Sequence, residues 1–535
     1  MKLCLSSLQH TDFWKQNDYA LPQYDVGAMR AVTLEHTAWL HFGAGNIFRS
    51  FIAAAQQTLL NKGLCSHGIV VCEGFDEELI EKAYRPYENL SVLVLLHADG
   101  RMEKRIVASV ADSWAASAST EKLQNVFSSP DLQMVSLTIT EKGYALHGAG
   151  GEILPQVAAE LKAGPMQVKT LMGQVAALCL HRFKNGAHPL ALVSMDNCSH
   201  NGARLHEAVR TFAEHWERAE LAPEGFTAYM DDPSRVSFPW TMIDKITPRP
   251  DGQVADMLKE DGLEDMETII TGKNTYTAAY VNAEAPEYLV VEDLFPNGRP
   301  PLEKAGIYMA DRVTVDKVEK MKVCTCLNPL HTGLAVFGCL LGFESIAQEM
   351  LDFHLRSLAV QLGHEDGLPV VTDPGIIRPE DFLQEVLSQR LSNPYLPDTP
   401  QRIATDTSQK LAIRFGETIK AWKNTPQGTG AIRHIPLIFA GWLRYLCGVD
   451  DHLQPFALSP DPMLPELTAQ LDGLKPGADA SLCAEKIHPL LRDARIFGVD
   501  LQEAGLAKQV EDYFIRMMSG DGAVRAVLKA HVGDA

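Results

Sequence analysis

Residues 39–46 read Trp39-Leu40-His41-Phe42-Gly43-Ala44-Gly45-Asn46, an apolar run that ends in two glycines one residue apart. A strand that breaks into such a turn and is followed by the helix-competent stretch Phe48 to Leu60 brings a pyrophosphate onto the free amides of a helix N-terminus. The third glycine of the dinucleotide fingerprint is missing, because Phe48 stands in its place. Glu73 follows the next apolar run and lies where an acid accepts both ribose hydroxyls and repels a 2′-phosphate, which favours NAD over NADP. A plain tight turn, with Glu73 charging the first turn of the following helix, is the structural alternative.

Outward from this turn, short apolar runs alternate with helical or turn-rich stretches from about Thr37 to Thr247, the pattern of a parallel sheet with crossover helices. The predicted strands include Ala38 to Phe42, Gly68 to Cys72, Met134 to Thr140 and Leu190 to Met195. Between Ser91 and Val110 two alternating runs flank His97-Ala98-Asp99-Gly100, which predicts a hairpin. The segment Phe295-Pro296-Asn297-Gly298-Arg299-Pro300-Pro301 stops the alternation and predicts a domain boundary. Beyond about residue 311 the periodicity is helical, as in Ile346 to Leu362, Pro379 to Leu391 and Ile435 to Cys447. Ser392 to Ser408 reads as a long loop and Asp450 to Pro476 as an acidic linker. The fold class expected is therefore α/β: an expanded Rossmann-type dinucleotide-binding domain over residues 1–305, then a mostly all-α domain over 306–535.

A chain of 535 residues exceeds what one hydrophobic core supports. Its net charge of −20 repels phosphate backbones and anionic lipid, so neither nucleic acid nor a membrane is an expected partner. The start of the chain lacks the pattern of a signal peptide, and the apolar stretch Gly333 to Phe343 is too short to span a bilayer. Ten cysteines without a CxxC read as reduced thiols of a cytoplasmic protein. No metal site is expected, since the histidines form neither HExxH nor a Cys/His cluster. Any anionic substrate needs a local cationic pocket against the global field.

Two clusters carry groups suited to oxidising an alcohol, which needs a proton acceptor and donors that polarise the oxygen. One is Ser194-Met195-Asp196-Asn197-Cys198-Ser199-His200-Asn201-Gly202, at the end of a predicted strand. The other is Lys322-Val323-Cys324-Thr325-Cys326-Leu327-Asn328-Pro329-Leu330-His331, just past the expected boundary, where a domain interface favours a ligand pocket.

With His41-Phe-Gly-Ala-Gly-Asn-Ile-Phe-Arg49, Leu137-Thr-Ile-Thr-Glu-Lys-Gly-Tyr144 and Phe238-Pro239 with Asp244-Lys-Ile-Thr-Pro248, these clusters occur in an order that resembles the mannitol dehydrogenase family of long-chain polyol and sugar-acid dehydrogenases. The resemblance implies a metal-independent enzyme in which Lys322 is the general base, Asn197, Asn328 and His331 hold the substrate oxygens, and Gly43, Gly45, Asn46, Ile47, Glu73 and Asp244 serve the cofactor NAD. Arg402 and Lys410, in Arg402-Ile-Ala-Thr-Asp-Thr-Ser-Gln-Lys410, resemble the pair that reaches the substrate's far end, and a guanidinium suits a carboxylate there. The implied substrate is a small sugar acid, with D-fructuronate and D-mannonate interconverted. A polyol, as in a mannitol 2-dehydrogenase, or altronate is the alternative, and a monomer or small homo-oligomer is expected.

One departure stands out. Asn328 follows Lys322 by six positions where the family pattern has five, and on a continuous α-helix the extra residue turns Lys322 about 100° away from its partners. Lys320 is then the reserve base, and an N-cap role for Asn328 before Pro329 is the structural alternative. The same departure keeps open an NAD(H)-binding protein without turnover.

Overall fold

Strand β1, Trp39–Phe42, is buried along its whole length, as a strand covered on both faces must be. With β2 (Ile69–Glu73), β3 (Val110–Ala115), β4 (Met134–Leu137), β5 (Leu190–Ser194) and β6 (Val236–Ser237) it forms a sheet in the order β3-β2-β1-β4-β5-β6. Every pairing in it is parallel. Successive side chains point to opposite faces. Leu40, Phe42, Val70, Cys72, Val135 and Leu137 therefore pack into a core with helices Leu171–Lys184 and Asn201–Arg218. Trp39, Ile69, Val71 and Met134 pack on the other face against residues 48–59. The computed structural model describes residues 1–148 and 150–533 of the chain.

The order reverses between β1 and β4, the switch point at which an open α/β sheet binds its ligand beyond the carboxyl ends of the strands. The predicted hairpin is present: Ser91–Leu96 pairs antiparallel with Met102–Val107 around Gly100, whose φ is +88°. The chain does not leave this unit at the prolines. Tyr308–Ala310 pairs in parallel with Tyr288–Glu292, which itself pairs with Thr241–Asp244. The unit accordingly runs from Met1 to Asp316, beyond the expected limit at 305, because a strand after the prolines joins a separate three-stranded sheet of this unit.

From Lys317 onward a second unit is helical. Its centre is Ile435–Tyr445, a helix buried on every side. The helix Arg312–Leu341 contains an 18-residue window apolar enough by composition to cross a bilayer, but 78% of that window is buried inside the fold, as in a core helix. The expected loop of residues 392–408 contains the short helix Pro400–Ile403, started by Thr399, and Thr407–Leu411 begins at its end. The expected linker of residues 450–476 is instead part of the packed unit. The Asp451 N–H donates to the Leu340 carbonyl at 2.8 Å, and its buried carboxylate accepts the Val524 and Arg525 N–H groups at 2.7 and 3.1 Å. Asp451, one acid of this segment, is thus a buried helix cap.

One buried cation holds the sheet's helical cover in place. Arg182 donates to the carbonyls of Phe127, Ser129, Leu132, His188 and Pro189 at 2.7–3.1 Å. Arg182→Leu removes all five bonds and leaves the Phe127, Ser129 and Pro189 carbonyls without this donor, while Tyr229 and Asn297 still reach those of His188 and Leu132, so chemical denaturation should show the first unit destabilised by about 3 kcal/mol or more.

Candidate active site

The glycine turn is set by contact as well as by conformation. Gly43 has φ +108°, and a Cβ on it would stand 2.2 Å from the Thr138 carbonyl oxygen, so only glycine fits against the end of β4. Gly45 differs: nothing lies within 4 Å of where its Cβ would be. The helix begins at Asn46, so the open space above Gly45 faces first-turn amides that have no intrahelical acceptor. This cradle fits a pyrophosphate.

Phe48, in the place of the third glycine, is fully buried and stacks on His41 with ring centroids 4.3 Å apart. The first helical turn here is a wide π turn, Phe48–Ile52. Burial drops the His41 pKa to about 3, and its ring nitrogens hydrogen-bond Ser136 and Thr138 at 2.6 and 2.8 Å. The Asn46 side chain accepts from Arg49 at 2.9 Å, and Ile47 packs against the core beneath, so both offer the cradle their main chain.

Glu73 ends β2 and is buried. Its carboxylate accepts the Ala44 N–H at 2.7 Å and the Phe75 and Asp76 N–H groups at 2.8 and 3.1 Å. It thus ties the glycine turn to the neighbouring strand, and these amides take three of about four acceptor positions of the carboxylate. A groove of about 590 Å³, which the sequence did not signal, starts beside Gly74 and Ser117 and runs past Gln174 toward His181.

At the end of β5 the Asp196 carboxylate accepts the Ile139 N–H at 2.8 Å and the Tyr144 hydroxyl at 2.5 Å, and burial pushes its pKa up to about 7. The Asn201 side chain donates to the Asp196 carbonyl at 2.9 Å and to the Thr241 hydroxyl at 2.8 Å. Three of the motifs are thereby knitted together. They present the exposed Asn197 on one loop and the buried Asp244 at the end of its strand.

In the second unit, Lys322 is 3% exposed whereas Lys320 is exposed. Lys322 opens a π turn, Lys322–Cys326, closed by the Leu327 N–H on the Lys322 carbonyl at 3.1 Å. A π turn inserts one residue into a helix. On ideal helix geometry, absorbing that residue reduces the turn between Lys322 and His331 from about 180° to roughly 80°. Leu327 holds the N-cap position, with Asn328 the first residue of helix Asn328–Leu341, so the capping alternative for Asn328 does not hold.

His331 Nε2 lies 3.3 Å from Asp398 Oδ2, off the line of a hydrogen bond. Arg402 pairs with the same Asp398, and Lys410 donates to the Thr405 carbonyl. Arg414, which the sequence reading did not single out, donates to the Thr332 hydroxyl at 2.5 Å. Burial first, then the charges of Arg414, Arg402, Arg390 and Lys410, lowers the His331 pKa to about 3. The helical unit therefore offers an amine, an amide, a neutral imidazole and several cations.

A dinucleotide cradle at the switch point of a six-stranded parallel sheet, with a helical unit bearing a buried lysine, defines a two-domain dinucleotide-dependent dehydrogenase. The chain belongs to the mannitol dehydrogenase family: the Mannitol dehydrogenase Rossmann domain matches residues 37–304 and the Mannitol dehydrogenase C-terminal domain residues 314–518. It is 47% identical to the D-mannonate oxidoreductase of Thermotoga maritima, over 100% of this chain and 99% of that one. Among solved structures it resembles a substrate-free D-sorbitol dehydrogenase, with TM-score 0.78, 25% identity and coverage of 95% and 97% of the two chains. It also resembles the mannitol 2-dehydrogenase of Pseudomonas fluorescens in a ternary complex with NAD and D-mannitol, with TM-score 0.69, 26% identity and 99% of each chain covered. Among the described residues no group of His, Cys, Asp and Glu could hold a metal ion.

The folded pKa of His331 lies near 3, below the roughly 6.5 of an unfolded histidine. As pH falls through 6.5 the unfolded chain binds the proton first, so stability present at neutral pH is lost progressively down to about pH 3. The contribution lost by pH 5 is about 2 kcal/mol. In chemical denaturation of the second unit, His331→Gln should flatten the stability profile between pH 6.5 and 4; an unchanged slope counts against a buried neutral imidazole. Gly43→Ala should weaken NADH binding at least about tenfold in a fluorescence titration, since the added methyl displaces the turn from Thr138.

Proposed function

We propose that this protein is an NAD-dependent D-mannonate oxidoreductase that interconverts D-mannonate and D-fructuronate. The observation that carries the reading is the cation-rich surround of His331, in a chain of net charge −20 that is 47% identical over its full length to a D-mannonate oxidoreductase. When bound, NAD supplies the hydride acceptor, and its reduced form the donor. Gly43, Gly45 and the main chain of Asn46 and Ile47 would hold its pyrophosphate, Glu73 would meet the adenosine ribose with its remaining acceptor capacity, and Asp244 would stand beside the cofactor.

In the oxidative direction the Lys322 amine accepts the substrate hydroxyl proton. Asn197, Asn328 and His331 donate hydrogen bonds to the substrate oxygens and stabilise the developing alkoxide. In the reductive direction the Lys322 ammonium returns the proton. Arg402 and Lys410 bind the far end of the sugar acid. Lys322 is favoured over Lys320 by its burial and by the π turn that aligns it with His331. The enzyme acts in the cytoplasm on a small molecule, without a nucleic-acid or membrane partner, as a monomer or small homo-oligomer.

The second reading, a polyol dehydrogenase, is favoured by the likeness to the mannitol 2-dehydrogenase and by the pairing of Arg402 with Asp398. A protein that binds NAD(H) without turnover loses its support, because the extra residue behind that reading is taken up by the π turn.

NADH oxidation followed by absorbance, with fructuronate and fructose in parallel, separates the first two readings. Fructuronate should give the higher kcat/KM; a preference for fructose moves the protein to the polyol branch. Lys322→Ala should lower turnover by about 10³-fold while leaving NADH affinity within about threefold, and a variant that keeps its rate rules Lys322 out as the base.

A further inference from the structure

Arg414 lies four residues beyond Lys410 on one continuous helical stretch, residues 407–423. Its guanidinium is largely sheltered from water, and that burial alone lowers its pKa to about 10. Among the described residues neither Arg414 nor Lys410 forms an ion pair with a carboxylate, whereas Arg402 is already paired with Asp398. Of the two acids whose charge acts on Lys410, Asp406 and Asp461, the latter is engaged by the Ser408 N–H and hydroxyl, at 2.8 and 2.5 Å. A sheltered cation with no counter-ion is costly, and an anionic ligand would relieve that cost.

The donors of Arg414 are also mostly unspent. One nitrogen bonds the Thr332 hydroxyl, which in turn donates to the Asn328 carbonyl at 2.9 Å. The other guanidinium nitrogens are not among the buried side-chain atoms that lack a partner, so they retain access to solvent. A planar fork with free N–H groups suits a carboxylate. The Thr332 link anchors it beside the turn that carries Asn328 and His331.

We propose that Arg414, with Lys410, forms the subsite for the substrate's carboxylate and sets the preference for sugar acids over neutral polyols. The inference rests on the sugar-acid reading above and deepens it. Arg402, held by Asp398, is left to orient hydroxyls.

The test compares full-length wild type, Arg414→Met and Arg414→Lys. Steady-state NADH oxidation with fructuronate and with fructose is combined with calorimetric binding of mannonate and of NADH. Arg414→Met should raise the KM for fructuronate at least about tenfold more than the KM for fructose, with mannonate binding weakened in parallel and partly restored in Arg414→Lys. Equal losses on both sugars, or mannonate affinity unchanged in Arg414→Met, overturn the subsite and make Arg414 a prop for Thr332. An Arg414→Met protein that has lost NADH binding is misfolded, and Arg414→Lys then decides by the same ratio. If wild type reduces fructose but neither reduces fructuronate nor binds mannonate, the sugar-acid reading itself fails, and the subsite with it.

Discussion

A single main-chain hydrogen bond, from the Leu327 N–H to the Lys322 carbonyl, spans five residues where an α-helix spans four. The relative placement of Lys322 and His331 in the second unit depends on it. Without the wide turn, the helix that carries Lys322 into Asn328–Leu341 would put the amine and His331 on opposite sides. With it, an inserted residue costs a local widening and leaves the register of the functional groups intact. π turns recur at functional sites for this reason: they re-aim side chains without ending the helix.

The first unit solves a related problem with a carboxylate. Its glycine turn presses on Thr138 through Gly43 and opens over Gly45, and both features need the turn to be held still. Glu73 does this from the adjacent strand by accepting the Ala44 N–H, while the Asp196 carboxylate fastens the loop after β4 to the loop after β5. Charges buried in these places are satisfied by main-chain amides and a hydroxyl, and in that form they fix loop geometry. Rigid loops at the carboxyl edge of the sheet are what a hydride-transfer geometry requires.

Much of this was legible in the chain. The four predicted strands follow from short apolar runs and the Asp-Gly hairpin from alternation and turn chemistry, and β1, β2, β4 and β5 lie close to where those patterns put them. The ribose-acid reading of Glu73 named a real anchor, but its bonds to Ala44, Phe75 and Asp76 depend on chain folding that spacing does not encode. The π turn leaves no mark in hydrophobic periodicity, so the count of six residues looked like a defect. Asp450 to Pro476 looked like a linker because acids and prolines suggest exposure, yet Asp451 is buried as a cap for the last helix. Arg414 did carry a signal, a cation one helical turn past Lys410, but that it pairs with no carboxylate among the described residues is visible only in three dimensions.

In the proposed mechanism the widened helical turn delivers Lys322, not Lys320, to the reacting oxygen. A structure of the protein with NADH and mannonate bound tests it most directly. The Lys322 Nζ should lie within about 3.2 Å of the hydroxyl oxygen on the carbon that exchanges hydride, with the π turn at residues 322–326 intact. Lys320 or a water in that position, or a continuous α-helix through residues 322–326, would contradict it.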